Sequence, residues 1–223
     1  MKKVIALILL CAFILSGCYN APKLENYKED PVAINNQSKG ESLAYDITNT
    51  RICKNGTIGF TIILNVVNTT ENIVEDFNVN LYLLDANGNK LTSESHTCTM
   101  VAPGETAIIS AYFSFREVDP EKVADFDGQI KVTKSSDQLR LIDYVSSEYT
   151  INDRNVVVSV TNESNAKMVI YTNALLTNGN DVVDICTWPM FLDPGETSVE
   201  SYNTEKEFDN VEFYVNPQDA YIP

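Results

Sequence analysis

The chain has 223 residues, of which 44% are hydrophobic and 21% are charged, and this composition excludes a largely disordered protein. The formal net charge of -15 excludes nucleic-acid binding, which needs Lys and Arg to neutralise phosphates, and adhesion to an anionic membrane surface through basic residues. The length allows one large domain or two small domains.

The first 17 residues have the pattern of a secretory signal peptide. The chain begins with the basic stretch MKK, continues with an apolar run over residues 4–15 and then has two small residues, SG. A helix of this length rises about 18 Å, which is short of the roughly 30 Å hydrocarbon core of a membrane. We therefore predict that residues 1–17 are a cleaved leader and not a permanent membrane span.

The string LSGC at residues 15–18 resembles the lipobox of bacterial lipoproteins. This resemblance implies that a diacylglyceryl group attaches to the thiol of Cys18 and that the leader is cleaved directly before it. Several buried acyl chains, at about 0.8 kcal/mol per methylene, anchor a protein stably. The expected location is therefore the extracytoplasmic face of a bacterial cell membrane, with the N-terminal lipid as the membrane contact. The alternative is that Cys18 is a structural cysteine near a cleaved terminus.

Residues 18–41 are predicted to be the lipidated N-terminus followed by a disordered, flexible linker. The segment over residues 20–41 is polar, contains two prolines and has no sustained hydrophobic period. A flexible linker of about 22 residues has a root-mean-square reach of roughly 25 Å, which would lift the folded part off the lipid headgroups.

Four sequence motifs occur twice in the same order, which indicates an internal repeat. The motif NGN occurs at residues 87–89 and 178–180, PGET occurs at 103–106 and 194–197, LNVVNTT at 64–70 is similar to VSVTNES at 158–164, and FDGQIKV at 126–132 is similar to FDNVEFYV at 208–215. We therefore predict two copies of one unit, over residues 42–136 and residues 137–223.

Each unit is predicted to consist of β-strands. Apolar residues recur at every second position in two segments of the first unit, which is the period of a strand with one buried face. They are Phe60, Ile62, Leu64 and Val66, which alternate with Thr61 and Asn65, and Phe77, Val79, Leu81 and Leu83. The Asn-Gly and Pro-Gly pairs of the repeated motifs are turn signals. Short strands with regular turns predict an all-β fold with a two-sheet sandwich of about seven strands in each unit.

The two copies differ in length before the last motif. The offset between them falls from 91 residues at PGET to 82 residues at the FD motif, so the first copy contains an insertion. Asp119, Pro120 and Glu121 in this insertion form a helix-start signal. We predict a single helical turn there, in the first copy.

The order of VxN, FNVNLYLLDANGNKL and PGET resembles the FxLYD-type domain and its immunoglobulin-like relatives in Gram-positive lipoproteins. The resemblance covers most of each repeat. It implies two tandem immunoglobulin-like β-sandwich domains after the lipoprotein signal peptide and linker, and it implies no reaction.

Three cysteines, Cys53, Cys98 and Cys186, follow the leader and Cys18, so at most one disulfide can form among them. Cys53 and Cys98 lie in the same repeat and are the candidate pair. The alternative is that all three are buried thiols that pack as small apolar residues.

The sequence contains no assembled set of catalytic residues. His96 is the only histidine, which argues against a zinc site, and we interpret it as a surface residue of a strand or loop. Asp85, Asn87 and Asn89 carry oxygen ligands of the kind that calcium prefers, but they lack the later glutamate of a calcium loop and a tight turn explains them. We expect no metal, no cofactor and no enzymatic activity.

The segment CTWPMF at residues 186–191 contains the only tryptophan, Trp188, close to Met190. Tryptophan and methionine are favoured contact residues when they are exposed. Trp188 and Met190 are therefore a candidate binding surface. The alternative is that they fill a core or an interface between the repeats.

These features lead to one principal functional hypothesis and one alternative. The principal hypothesis is a non-enzymatic, membrane-anchored binding or scaffold module for an unknown protein or envelope polymer. The alternative is a ligand-binding accessory lipoprotein, with a small-molecule or metal site between the two repeats.

Overall fold

The structure is a computed structural model that describes residues 45–134 and 139–221. The predicted leader over residues 1–17, the linker over residues 18–41 and the lipidation residue Cys18 lie outside the described residues. The predicted junction between residues 136 and 137 lies outside them as well, so the division into two domains stays a prediction.

The described residues form an all-β fold, as the sequence predicts. The strands are β1 (Tyr45–Asn55), β2 (Gly59–Asn68), β3 (Val74–Leu84), β4 (Lys90–Val101), β5 (Thr106–Ser114), β6 (Asp125–Lys134), β7 (Val145–Asn152), β8 (Asn155–Asn162), β9 (Lys167–Asn178), β10 (Asp181–Leu192), β11 (Thr197–Asn203) and β12 (Asn210–Tyr221). Two short 3₁₀ helices, Pro120–Lys122 and Leu141–Tyr144, are the helices of the described part. None of the described helices is long and apolar enough to cross a membrane.

The strands form four antiparallel sheets of three strands each. Sheet A has the order β1-β2-β5, sheet B β4-β3-β6, sheet C β11-β8-β7 and sheet D β10-β9-β12. The pairing of the first six strands is therefore repeated by the next six. Each half has six strands and not about seven, because strands of up to 12 residues take up most of its length.

Each half encloses a hydrophobic core between its two sheets. The first core contains Phe60, Phe77 and Phe113, which come from sheets A and B. The second core contains Val158 from sheet C and Ile170 from sheet D. This arrangement is a pair of β-sandwiches, in which alternate residues of facing strands meet.

A buried asparagine explains two of the repeated motifs in the first half. The side-chain amide of Asn68 donates hydrogen bonds to the carbonyls of Asn72 (2.8 Å) and Val101 (2.9 Å), and its oxygen accepts from the backbone N–H of Thr70 (2.9 Å). The backbone carbonyl of Asn68 also accepts from the N–H of Gly104, whose φ of 75° is one that glycine adopts without strain. The asparagine thus connects the end of β2 to the Pro-Gly turn before β5.

Asn162 makes the same contacts in the second half. Its amide donates to the carbonyls of Ala166 (2.7 Å) and Leu192 (3.1 Å), and its oxygen accepts from the N–H of Ser164 (3.0 Å). Its carbonyl accepts from the N–H of Gly195 (2.8 Å), which also has a positive φ. The repeated N-x-T/S and PGET motifs therefore preserve one structural connection.

The helical turn predicted for the first half is confirmed. Pro120–Lys122 forms one 3₁₀ turn, and the side chain of Asp119 accepts a hydrogen bond from the backbone N–H of Glu121. The corresponding connection of the second half, over residues 204–209, has no helical turn.

Strand β2 is buried on both faces, whereas its period predicts one buried face. Thr61 and Asn65, the polar members of the alternation, are buried, and so is Ile63 between them. The reason is that sheet D of the second half packs on the outer face of sheet A. The sequence period of one strand does not reveal a second layer that covers its polar face.

The contact between the halves has a small apolar centre. Three residues of sheet A and two of sheet D form this cluster: Cys53, Ile63, Ile108, Leu175 and Val182. The four sheets are therefore stacked in the order B, A, D, C.

Strand β12 crosses the strands of the first half. Successive outward residues contact successive strands: Glu212 contacts Arg51 on β1, Tyr214 contacts Asn65 on β2, Asn216 contacts Thr106 on β5, and Gln218 contacts Thr99 on β4. The strands of sheet D therefore run across those of sheet A, which is a crossed packing of two sheets.

Candidate binding surface

The structure places the predicted surface residues Trp188 and Met190 on the inner side of β10. Met190 is only 3% exposed and belongs to the second core. Trp188 is half-buried, packs against that core and contacts Tyr202 edge-on at 6.3 Å between ring centroids. The prediction is wrong for Met190, because the alternation of β10 directs residues 188, 190 and 192 inward.

The exposed member of this segment is Phe191, between the two inward residues Met190 and Leu192. Phe191 is 73% exposed, the largest fraction of any large hydrophobic residue in the described ranges. It pairs with Val169 on β9, and Pro189 pairs with Tyr171. We call Val169, Tyr171, Pro189 and Phe191 the aromatic ladder.

The aromatic ladder lies on the outer face of sheet D. The next pair along the strands, Thr187 and Asn173, is joined by a side-chain hydrogen bond of 2.8 Å, which shows that both side chains are on one face. The pair after that, Ile185 and Leu175, lies in the apolar contact between the halves. The aromatic ladder is therefore the uncovered continuation of the surface on which the first half packs.

Charged residues border the aromatic ladder. Lys167 lies two residues before Val169 on the same face of β9, and it forms an ion pair of 2.6 Å with Asp193. The hydrogen bond to Asp193 raises the pKa of Lys167. An apolar centre with a polar, paired rim is the usual composition of a protein–protein contact surface.

The candidate disulfide is not present, because Cys53 and Cys98 are free thiols in different clusters. Cys53 lies on β1 and faces the second half, whereas Cys98 lies on β4 and faces the first core. β4 lies against β5, and β1 is on the opposite edge of sheet A. The prediction of a bridge is therefore corrected to buried thiols.

Burial keeps all three described cysteines protonated. It raises the pKa of Cys53 to about 11 and those of Cys98 and Cys186 to about 12. A thiol with such a pKa is a poor nucleophile and a poor metal ligand near neutral pH.

His96 lies on the strand β4, where it pairs with the core residue Val79 and is half-buried. Burial lowers its pKa, which favours the neutral imidazole. Within residues 45–134 and 139–221, no group of three or more His, Cys, Asp or Glu residues is placed to hold a metal ion.

The Asp85–Asn89 segment is a turn, as its sequence predicts. The carboxylate of Asp85 accepts hydrogen bonds from the side chain of Asn89 (3.0 Å) and from the backbone N–H groups of Asn87 and Asn89 (both 2.8 Å). These bonds, led by the side chain of Asn89, lower the pKa of Asp85. Gly88 supplies the positive φ of the turn.

Polar side chains close the contact between the halves beside its apolar centre. Arg51 forms two hydrogen bonds to the carboxylate of Glu212 (2.6 and 2.8 Å) and one to Asn65 (3.3 Å). The amide of Asn65 donates to the hydroxyl of Tyr214, which donates to Glu212 (2.9 Å). This ring and the apolar cluster bring side chains of the two halves into direct contact in the region where the alternative hypothesis places a ligand.

The comparisons with known proteins show no family for this chain. No protein-family model matches it, and no curated protein matches it. Among solved structures, it is similar to the crystal structure of red sea bream transglutaminase, with 8% identity and a TM-score of 0.26. The match covers 81% of this chain and 29% of that protein. At this TM-score the likeness carries no argument about function.

Sequence reasoning missed a buried charged cluster at the edge of the second core. Asp184 accepts hydrogen bonds from the hydroxyls of Tyr202 (2.8 Å) and Thr204 (2.7 Å) and from the amine of Lys206 (3.3 Å). Burial, and then the contact with Asp184, raises the pKa of Tyr202. Both carboxylate oxygens of Asp184 have hydrogen-bond partners, so the cluster stabilises the edge of the sandwich.

Proposed function

We propose that this chain is a membrane-anchored extracytoplasmic lipoprotein that acts as a non-enzymatic binding or scaffold module. Its contact surface is the aromatic ladder on the outer face of sheet D, and its partner is a protein of the cell envelope. The N-terminal lipid holds the module at the membrane, and the polar linker sets its distance from the headgroups.

The exposure of Phe191 is the observation that carries the proposal. A large aromatic side chain gains free energy from burial, at roughly 25 cal/mol per Å² of apolar area, and Phe191, which is 73% exposed, obtains only a minor part of that free energy within the chain. Pro189 of the same ladder is also exposed, Val169 and Tyr171 are half-buried, and exposed aromatic residues with a polar rim mark contact surfaces.

The proposed anchor is supported by the order of basic start, short apolar run, small residues and cysteine at residues 1–18. It is tested by labelling bacterial cells with an alkyne fatty acid. We expect the label on the wild-type protein and on Cys11→Ala, whose cysteine lies in the leader, and no label on Cys18→Ala. Label retained by Cys18→Ala would contradict the anchor.

The proposed contact surface is tested by photo-crosslinking in intact cells. A benzophenone amino acid at position 191 should give a discrete protein adduct, whereas the same probe at position 199 should not. Val199 is a suitable control because it is also a strongly exposed hydrophobic residue, on β11 of sheet C.

A second substitution tests whether the adduct depends on the ladder. Val169→Asp, which pairs with position 191, should lower the adduct at least fivefold, since it places a charge in the contact. An adduct pattern that is the same from positions 191 and 199, or that Val169→Asp leaves unchanged, would refute the proposed surface.

A further inference from the structure

A second surface feature is an open cleft at one end of the first sandwich. It has a volume of about 300 Å³ and is lined by Thr57, Ile58, Tyr112, Ser114, Phe115 and Arg116. It lies between the turn that joins β1 to β2 and the end of β5. It belongs neither to the contact between the halves nor to the aromatic ladder.

Backbone contacts and one glycine hold the walls of the cleft in place. The hydroxyl of Tyr112 donates a hydrogen bond to the carbonyl of Ile58 (3.2 Å), and the N–H of Phe115 donates to the same carbonyl (2.9 Å). Gly59 permits this arrangement, because a Cβ there would lie 2.8 Å from the ring of Tyr112 and would collide with the carbonyl of Phe113.

The cleft presents apolar surface to solvent. Ile58 is 63% exposed, and Tyr112 is also exposed although its ring is fixed by its hydrogen bond. Phe115 packs from below against Phe60 of the first core, at 5.9 Å between ring centroids. A rigid aromatic wall and an exposed isoleucine are suited to an aryl or alkyl group.

Arg116 gives the cleft a positive charge that no acidic side chain of the described residues neutralises. The other three arginines form ion pairs, namely Arg51 with Glu212, Arg140 with Asp143 and Arg154 with Glu207. In a chain of net charge -15, an unpaired guanidinium beside an apolar wall is complementary to an anionic group.

We propose that this cleft binds a small amphipathic anion. The aryl or alkyl part of the ligand packs on Ile58 and Tyr112, and its carboxylate or sulfonate accepts hydrogen bonds from the guanidinium of Arg116. Ser114 and Thr57 supply hydroxyl groups at the rim. The site is independent of the proposed protein contact, because it lies on the first half and uses none of the ladder residues.

The test compares two fluorescent probes that differ in charge. The anionic probe is 1-anilinonaphthalene-8-sulfonate, and the neutral probe is N-phenyl-1-naphthylamine, which has the same aryl groups without the sulfonate. Both are titrated onto the chain over residues 18–223, which keeps every described residue. All variants carry Cys18→Ser and Phe191→Ser, so that neither lipid nor the aromatic ladder binds the probe.

We expect Arg116→Gln to lower the affinity for the sulfonate probe about tenfold, because a tenfold change corresponds to the loss of one charge-assisted hydrogen bond. The same substitution should change the affinity for the neutral probe less than twofold. Arg154→Gln, an exposed arginine away from the cleft, should change neither affinity. Ile58→Ser should lower the affinity for both probes. Because Ile58 is exposed, this substitution should leave the fold intact.

Three results would overturn the proposal. One is no saturable binding of either probe. Another is an equal effect of Arg116→Gln and Arg154→Gln on the sulfonate probe, which would indicate a general charge effect. The third is an equal response of both probes to Arg116→Gln.

Discussion

Asn68 and Asn162 occupy equivalent buried positions, and each satisfies backbone groups at the end of a strand and in the adjacent loop. A short amide side chain can donate to two carbonyls and accept from an N–H at the same time, which a hydrophobic residue cannot do. Buried backbone groups without a partner are costly, so these residues hold the turn of each half against the end of a strand.

At this scale we predict that Asn162→Ala lowers the free energy of unfolding by about 2–4 kcal/mol, because it removes the side-chain donor to the buried carbonyl of Leu192 and leaves the carbonyl of Ala166 with only the hydroxyl of Ser164. Urea unfolding measures the effect. Asn203→Ala, on the exposed side of β11, is the control and should change stability by less than about 0.5 kcal/mol. Equal losses for the two variants would show that the buried amide has no special role.

Strand β10 is the element that separates core from surface most sharply. Its inward residues Met190 and Leu192 lie in the second core, while Phe191 between them points to solvent. The same strand therefore stabilises the sandwich with one face and presents the aromatic ladder with the other. A shift in register by one residue would exchange the two faces, so the pairing with β9 determines which residues are available to a partner.

At the scale of the element we predict opposite outcomes for two adjacent substitutions. Met190→Ala should lower the free energy of unfolding by about 2–4 kcal/mol, because it leaves a cavity in the core. Phe191→Ala should change stability by less than about 0.5 kcal/mol, because its side chain is exposed. Thermal or urea unfolding checks both. A large stability loss in Phe191→Ala would mean that this side chain is packed and not exposed.

At the scale of the molecule, residues 45–134 and 139–221 form a stack of four sheets, in which the contact between sheets A and D combines an apolar cluster with an ionic ring. Arg51 is 10% exposed at its side chain and Glu212 is 32% exposed, so the pair is partly desolvated. A partly buried charge without its partner destabilises the fold. The ring therefore favours the one packing of the two halves in which Arg51 and Glu212 meet.

At this scale we predict a pH-dependent contribution from Glu212. The hydrogen bonds from Arg51 hold its pKa below the usual value, so the carboxylate stabilises the fold above the ordinary pKa of glutamate. This stabilisation is lost as the pH falls through the lowered pKa. Glu212→Gln should therefore lower the free energy of unfolding by about 2 kcal/mol at pH 7, and the difference from wild type should shrink as the pH falls below the ordinary pKa of glutamate, about 4.3.

Urea unfolding at several pH values provides the measurement for this prediction. Glu207→Gln is the matched control, since Glu207 pairs with Arg154 in an exposed position and should contribute less than about 0.5 kcal/mol at pH 7. A difference for Glu212→Gln that grows on acidification would contradict the assigned role of the pair.

The local structure was largely predictable from the sequence, because it depends on neighbouring residues. Period-two alternation predicted strands, Asn87-Gly88 predicted the turn between β3 and β4, and Asp119-Pro120 predicted the helical turn. For the candidate surface, the sequence predicted the segment that contains it but not which side chains of that segment are exposed. Aromatic content identified the segment CTWPMF, but the exposed residue is Phe191 and not Met190.

The sequence by itself determined the all-β class, the positions of the turns and the repeated order of the strands, since backbone geometry and short-range hydrogen bonds require particular residues at particular positions. Only the tertiary structure decided which faces are covered. Asn65 and Thr61 are polar and yet buried, because sheet D lies over them, and Phe191 is apolar and yet exposed, because that layer ends before it. Burial depends on what packs against a strand from elsewhere in the chain, and no local pattern specifies this.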